Sequence, residues 1–123
     1  MVRIKKVVTI DNSGATQELL TLDKITTDEL ALEVANSNSQ DLATFTIQVR
    51  FDEDGSWMTI ASVGGDYTAP TGFLWAASGS LVTLAKNTSG WFVLKGLGCV
   101  QAIKLLGNSA GASSVLTLTG KMR

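Results

Sequence analysis

Thr44-Phe45-Thr46-Ile47-Gln48-Val49-Arg50-Phe51 alternates polar and apolar residues without interruption and then breaks at Asp52-Glu53-Asp54-Gly55. Successive strand side chains point to opposite faces, so this period of two predicts a strand over 43–51. Its apolar face holds Phe45, Ile47, Val49 and Phe51. Asp54-Gly55 favours the positive φ angles of a tight hairpin turn, and Ser56-Trp57-Met58-Thr59-Ile60-Ala61 reads as the returning strand, 56–62. A hairpin with one buried face implies antiparallel β structure.

The rest of the chain repeats this punctuation. Turn signals recur at Asn12-Ser13-Gly14, Asn36-Ser37-Asn38-Ser39, Gly64-Gly65-Asp66, Ala69-Pro70-Thr71-Gly72, Ser78-Gly79, Asn87-Thr88-Ser89-Gly90 and Gly107-Asn108-Ser109. Between them lie short runs rich in Val, Ile, Leu, Thr and aromatic residues. They predict further strands near 2–10, 17–22, 29–35, 72–77, 80–85, 90–95, 98–106 and 113–120. Short strands at this spacing indicate an all-β, single-domain antiparallel β-sandwich of about 8–10 strands. In 113–120, Val115, Thr117 and Thr119 oppose Leu116 and Leu118. In 98–106, Cys99, Gln101, Ile103 and Leu105 share one face. Thr26-Thr27-Asp28-Glu29 has the spacing of a helix capping box, but Leu30, Leu32 and Val34 alternate with Ala31, Glu33 and Ala35, which favours strand. Pro70 is expected in a loop. Residues 1–123 form one domain, with 1–16 either an N-terminal arm or an edge strand.

With 123 residues and 45% apolar content, the chain can bury a core without a metal or disulfide staple. Ten basic and eleven acidic residues give a net charge of −1, too balanced for binding that relies on neutralising nucleic-acid phosphates. Low net charge also leaves little repulsion between copies, which suits assembly. The lone Cys99 cannot form an intrachain disulfide and is expected to pack as a small apolar residue. The basic start, Arg3-Ile4-Lys5-Lys6, leads into an apolar run that Asp11 cuts short of a signal-peptide core. No stretch approaches the ~20 apolar residues of a membrane-spanning helix.

Motifs for chemistry fail one after another. Gly107-Asn108-Ser109-Ala110-Gly111 matches the G-x-S-x-G pattern of a hydrolase nucleophile, yet the chain has no histidine to serve as base. Placing Gly55 at the sixth position of a calcium loop puts Arg50 at the first and Ala61 at the twelfth, where carboxylates are required. Without histidine and with one cysteine, the chain lacks the Cys and His set of a structural zinc site. No phosphate loop or dinucleotide fingerprint occurs. No catalytic, cofactor-binding or metal-binding residues are therefore expected, and no enzymatic activity.

The aromatic residues are more informative. Trp57 and Trp91 each follow a turn and are expected to cover the open end of the core. Phe73-Leu74-Trp75 lies in the least polar segment, 69–77, so Phe73 and Trp75 are candidate interface residues, in a strand that is either central or partnered. Arg3, Lys5 and Lys6 form the one local charge cluster and are the second interface candidate.

From Asn36 the chain runs N-S-N-S-Q-D-L-A-T-F-T-I-Q-V-R-F, then D-E-D-G-S-W-M-T-I-A, and later T-S-G-W-F-V-L-K-G-L-G-C-V-Q-A-I-K-L-L-G-N-S-A-G-A-S-S-V-L-T-L-T-G. Over about residues 36–120 this pattern resembles small all-β virion structural proteins of tailed bacteriophages, including capsid cement or decoration proteins. Asp54, Gly55 and Trp57 match the D-G-x-W hairpin; Gly90, Phe92 and Leu94 match a later strand loosely. The resemblance implies a jelly-roll-like sandwich and a non-enzymatic, stoichiometric role. The partner it implies is the major capsid protein, bound at the capsid surface by a homo-oligomer made in the host cytoplasm, with no nucleic acid or membrane contacted. A glycan-binding module of a phage tail or fibre shares the outline; exposed aromatics beside Asp or Asn would mark it, and an apolar, self-complementary face would mark a cement protein.

Overall fold

The computed structural model describes residues 2–10, 16–36, 41–59, 67–71, 73–75, 81–109 and 114–123. Of residues 43–44, 67–71, 73–75, 81–83, 109 and 114 the backbone alone is considered. Eleven strands are present among the described residues: β1 (Val2–Ile10), β2 (Gln17–Leu22), β3 (Leu30–Asn36), β4 (Leu42–Arg50), β5 (Met58–Thr59), β6 (Tyr67–Thr71), β7 (Phe73–Trp75), β8 (Leu81–Leu84), β9 (Thr88–Leu94), β10 (Ala102–Ser109) and β11 (Ser114–Met122). A 3-10 turn at Leu97–Cys99 is the one helical element among the described residues.

The strands form two antiparallel sheets, ordered β1-β11-β3-β9-β6 and β2-β10-β4-β8-β7, with β5 attached to β4. The pairing is nested: β1 with β11, β2 with β10, β3 with β9 and β4 with β8. Successive pairs alternate between the sheets, as in a long hairpin wound around the core. Pairing of β11 with β3 and of β10 with β4 closes each sheet. This is the strand order of a jelly roll, with β5, β6 and β7 added at its margins.

The core follows from alternation. Ile4, Val8, Ile10, Leu30, Leu32, Val34, Phe92, Leu94, Leu116 and Leu118 point inward from the first sheet, and Leu20, Leu42, Phe45, Ile47, Val49, Ile103 and Leu105 from the second. The phenylalanines meet between the sheets, Phe45 to Phe92, with centroids 6.1 Å apart and planes tilted by 54°. Gly120 lets β3 and β11 pack closely, since a Cβ there would sit 2.1 Å from the Ala31 carbonyl oxygen.

Several sequence expectations are corrected. Phe51 is 56% exposed, because β4 ends at Arg50 and the chain bends away. The turn is closed by Gly55 N–H donating to the Asp52 carbonyl at 2.9 Å, and Gly55 does not adopt positive φ. Glycine thus occupies the last position of a four-residue turn inside a longer loop. Pro70 lies in β6, in the register break between Thr68 and Thr71 of its pairing with β9, where the ladder is irregular and a missing N–H is tolerated. Cys99 is exposed, because the 3-10 turn precedes β10 and turns its side chain outward. No helix starts at Thr26. The Asp28 and Glu29 N–H groups donate to the Arg123 carbonyl at 2.9 and 2.8 Å, and strand begins at Leu30.

Candidate functional site

The outer face of the first sheet presents the side chains that the core does not use. Register places Lys5, Thr119, Glu33 and Trp91 side by side across β1, β11, β3 and β9. The next row holds Arg3, Lys121, Ala31 and Val93, and the row on the other side Val7, Thr117, Ala35 and Ser89. Directly opposed side chains lie about 4.5–5.5 Å apart at Cβ, so Glu33 and Trp91 are immediate neighbours. Trp91 is 43% exposed. It does not cover the core, as the sequence reading expected: Gly90, Phe92 and Leu94 take the inward positions of β9, and Trp91 and Val93 the outward ones.

Alanine at positions 31 and 35 makes β3 a shallow valley between Trp91 and Val93 on one side and Thr119 and Lys121 on the other. An open groove of about 350 Å³ runs between Trp91, Glu33, Thr119 and Lys121. A second, of about 330 Å³, is lined by Glu29, Val93, Lys95 and Arg123 and shares Ala31 and Lys121 with the first. Arg123 Nε donates to Glu29 Oε2 at 2.9 Å, and this bond holds the Glu29 carboxyl below its ordinary pKa. With Lys95 and Lys121, the joined grooves carry three cations against the two carboxylates of Glu29 and Glu33.

The outer face of the second sheet is organised around Trp57. Its half-buried indole lies beneath Lys104 Nζ, 4.2 Å from the ring centroid, and Arg50 Cζ, at 4.8 Å. Trp57 therefore packs outside the sheet and does not cap the core. Two cations share one ring because Arg50 is held elsewhere. Its Nε donates to Gln101 Oε1 at 2.6 Å and its Nη2 lies 3.4 Å from Asp23 Oδ1. Gln101 Nε2 donates to the same Asp23 oxygen at 2.7 Å. The Gln101 hydrogen bond, then the Lys24 N–H and the Arg50 charge, lower the Asp23 pKa. This network ties the β4–β5 hairpin to the segment after β2.

The interface candidates from the sequence fall at two separate margins. Arg3, Lys5 and Lys6 are exposed on β1, at one end of the first sheet. Lys6 occupies an inward position between Ile4 and Val8, a placement that discourages another strand from adding to this edge. Phe73 and Trp75 lie on β7, at the opposite end of the second sheet, so this strand is not central. Their side chains lie outside the described residues. Ser109 ends β10, its backbone paired with Leu42. Among the described residues, no group of three His, Cys, Asp or Glu side chains is placed to hold a metal ion.

Sequence reasoning missed Trp91 and Glu33 as surface neighbours. The run Gly90-Trp91-Phe92-Val93-Leu94 is apolar in both parities, so alternation could not say which parity faces out.

No protein-family model and no curated protein matches the chain. Among solved structures it is similar to the SPBc2 prophage-derived protein YomS, at 11% identity, over 98% of this chain and 96% of the other, with a TM-score of 0.48. It is also similar to a chain from Bacillus endospore appendages, described as disulfide-linked pili, at 15% identity, over 97% and 84% of the two chains, with a TM-score of 0.45. At these values the likenesses carry no argument about function.

Proposed function

We propose that this chain is a non-enzymatic virion structural protein of a tailed bacteriophage, a capsid cement or decoration protein that binds the major capsid protein and stabilises the head. The observation that carries the reading is the nested jelly-roll pairing, an architecture used by viral capsid domains. It occurs in a chain whose hairpin and later strands resemble those of cement proteins.

Two features support the reading. Among the described residues the apolar side chains are buried between the two sheets, leaving the outer face of the first sheet and the margins at β1 and β7 for partners. The near-neutral charge favours close packing of copies on a lattice. A cement protein works by bridging neighbouring capsomers, so its contribution is binding free energy summed over many copies.

The test is deletion of the gene from the phage genome that carries it. Heads assembled without the protein should lose DNA at lower temperature, and purified protein added back should restore the original value. Heads of unchanged thermal stability would contradict the proposal.

A further inference from the structure

We propose that the joined grooves on the outer face of the first sheet bind an acidic linear oligosaccharide, with Trp91 stacking on a sugar ring and Lys121 and Lys95 taking its carboxylates. This goes beyond capsid binding and rests on the sheet face alone.

Three observations converge. Trp91 is 43% exposed on the outer face of the sheet, with Glu33 directly opposite it on β3 and the short side chains of Ala31 and Ala35 on the diagonals. An exposed indole face is an apolar, electron-rich surface that suits the C–H face of a pyranose ring. The groups around it supply hydrogen bonds of both senses: Glu33 accepts, Lys121 donates and the Thr119 hydroxyl does either. A sugar ring has this mixture, an apolar face edged by hydroxyls.

The valley is also elongated. From Glu33 to Glu29 along β3 is about 13 Å at the rise of a strand, which suits several linked rings better than one. The cations are gathered toward its far end, where Lys95, Lys121 and Arg123 line the second groove. Arg123 is bonded to Glu29 and the Lys95 charge also acts on that carboxylate, so Lys121, with Lys95 behind it, faces a ligand's carboxylates. Among the described residues of β1, β11 and β3, the positions flanking the valley are Thr117, Thr119 and Ala35, and the exposed Val7 and Val115 sit on β1 and β11, away from Trp91.

The experiment is titration of the full ¹⁵N-labelled chain with a uronic acid tetramer and, separately, with a neutral glucose tetramer. Amide resonances of Ala31, Glu33, Trp91, Thr119 and Lys121 should shift with the uronate, saturably, and bind it more tightly than the glucan. Trp91→Ala should weaken binding about tenfold. Lys121→Gln should weaken the uronate several-fold and leave the glucan unchanged. Both positions face solvent, and an otherwise unaltered spectrum confirms the fold. Failure of the uronate to shift these resonances, shifts centred elsewhere, or full affinity in Trp91→Ala would overturn the site. Equal affinity for the two tetramers would overturn the acidic assignment.

Discussion

Phe45 on β4 and Phe92 on β9 join the two sheets, their fully buried rings tilted by 54° with centroids 6.1 Å apart. Each belongs to a nested strand pair of the jelly roll, so the contact ties one winding of the hairpin to the next. Phe45→Ala should lower unfolding free energy by about 3–5 kcal/mol, through lost burial and the cavity left between the sheets. Thr46→Asp, on the outward parity of the same strand, should cost about 1 kcal/mol or less. Urea denaturation of both variants measures the difference; equal losses would contradict one-faced burial of β4.

Gly120 on β11 lies against the backbone of β3 with no room for a side chain. A Cβ would approach the Ala31 carbonyl oxygen to 2.1 Å and the Leu32 Cδ1 to 2.9 Å, so strand backbone would have to move. Gly120→Ala should destabilise the protein by about 1–3 kcal/mol although alanine suits strands better than glycine. Thermal denaturation against the parent checks this, and a stabilised variant would contradict the close approach.

Asp23 and Glu29 are held below their ordinary pKa values of 3.8 and 4.5, by Gln101 and by Arg123 first. A carboxyl with a depressed folded pKa stabilises fully above its unfolded value and loses that stabilisation as pH falls through the folded one. The urea midpoint should therefore hold between about pH 7 and 5 and decline below about pH 4. The double variant Asp23→Asn, Glu29→Gln should decline less steeply. An identical acid slope in the variant would assign the decline to other groups.

The margin at β7 carries the assembly prediction. Segment 69–77 is poor in charge, and the structure sets Phe73 and Trp75 on the last strand of the second sheet. Trp75→Ala should weaken oligomerisation or capsid binding by about 2 kcal/mol or more while the chain still folds. Sedimentation, with circular dichroism as the fold control, measures this. A folded variant that assembles and binds as tightly as the parent moves the contact to Arg3, Lys5 and Lys6 on β1.

What was legible in the sequence depended on how one-sided each strand is. In β4 and β11 one parity is apolar and the other polar, and the buried sets Phe45, Ile47, Val49 and Leu116, Leu118 follow directly. In β9 both parities are apolar, and Trp91 was assigned to the wrong side. Strand ends were less visible. Phe51 continues the alternation of β4 in type, but the ladder stops at Arg50, whose carbonyl accepts the Gln101 N–H. Thr26 to Glu29 carries a helix-start pattern, yet the Glu29 carboxylate accepts a hydrogen bond from Arg123, 94 residues further on. Pro70 reads as a breaker because local sequence does not say that its strand lies at a sheet margin. The nested order of the sheets depends on pairings far apart in sequence, and the candidate groove combines side chains from β3, β9 and β11. No local pattern announces either.

A cement protein attaches to the capsid in fixed stoichiometry, which a saturation isotherm reads out. Purified protein is titrated onto heads assembled without it, and bound copies are counted after sedimentation. Saturation at a fixed simple ratio to the major capsid protein is expected. No binding, or uptake that rises without saturating, would contradict it.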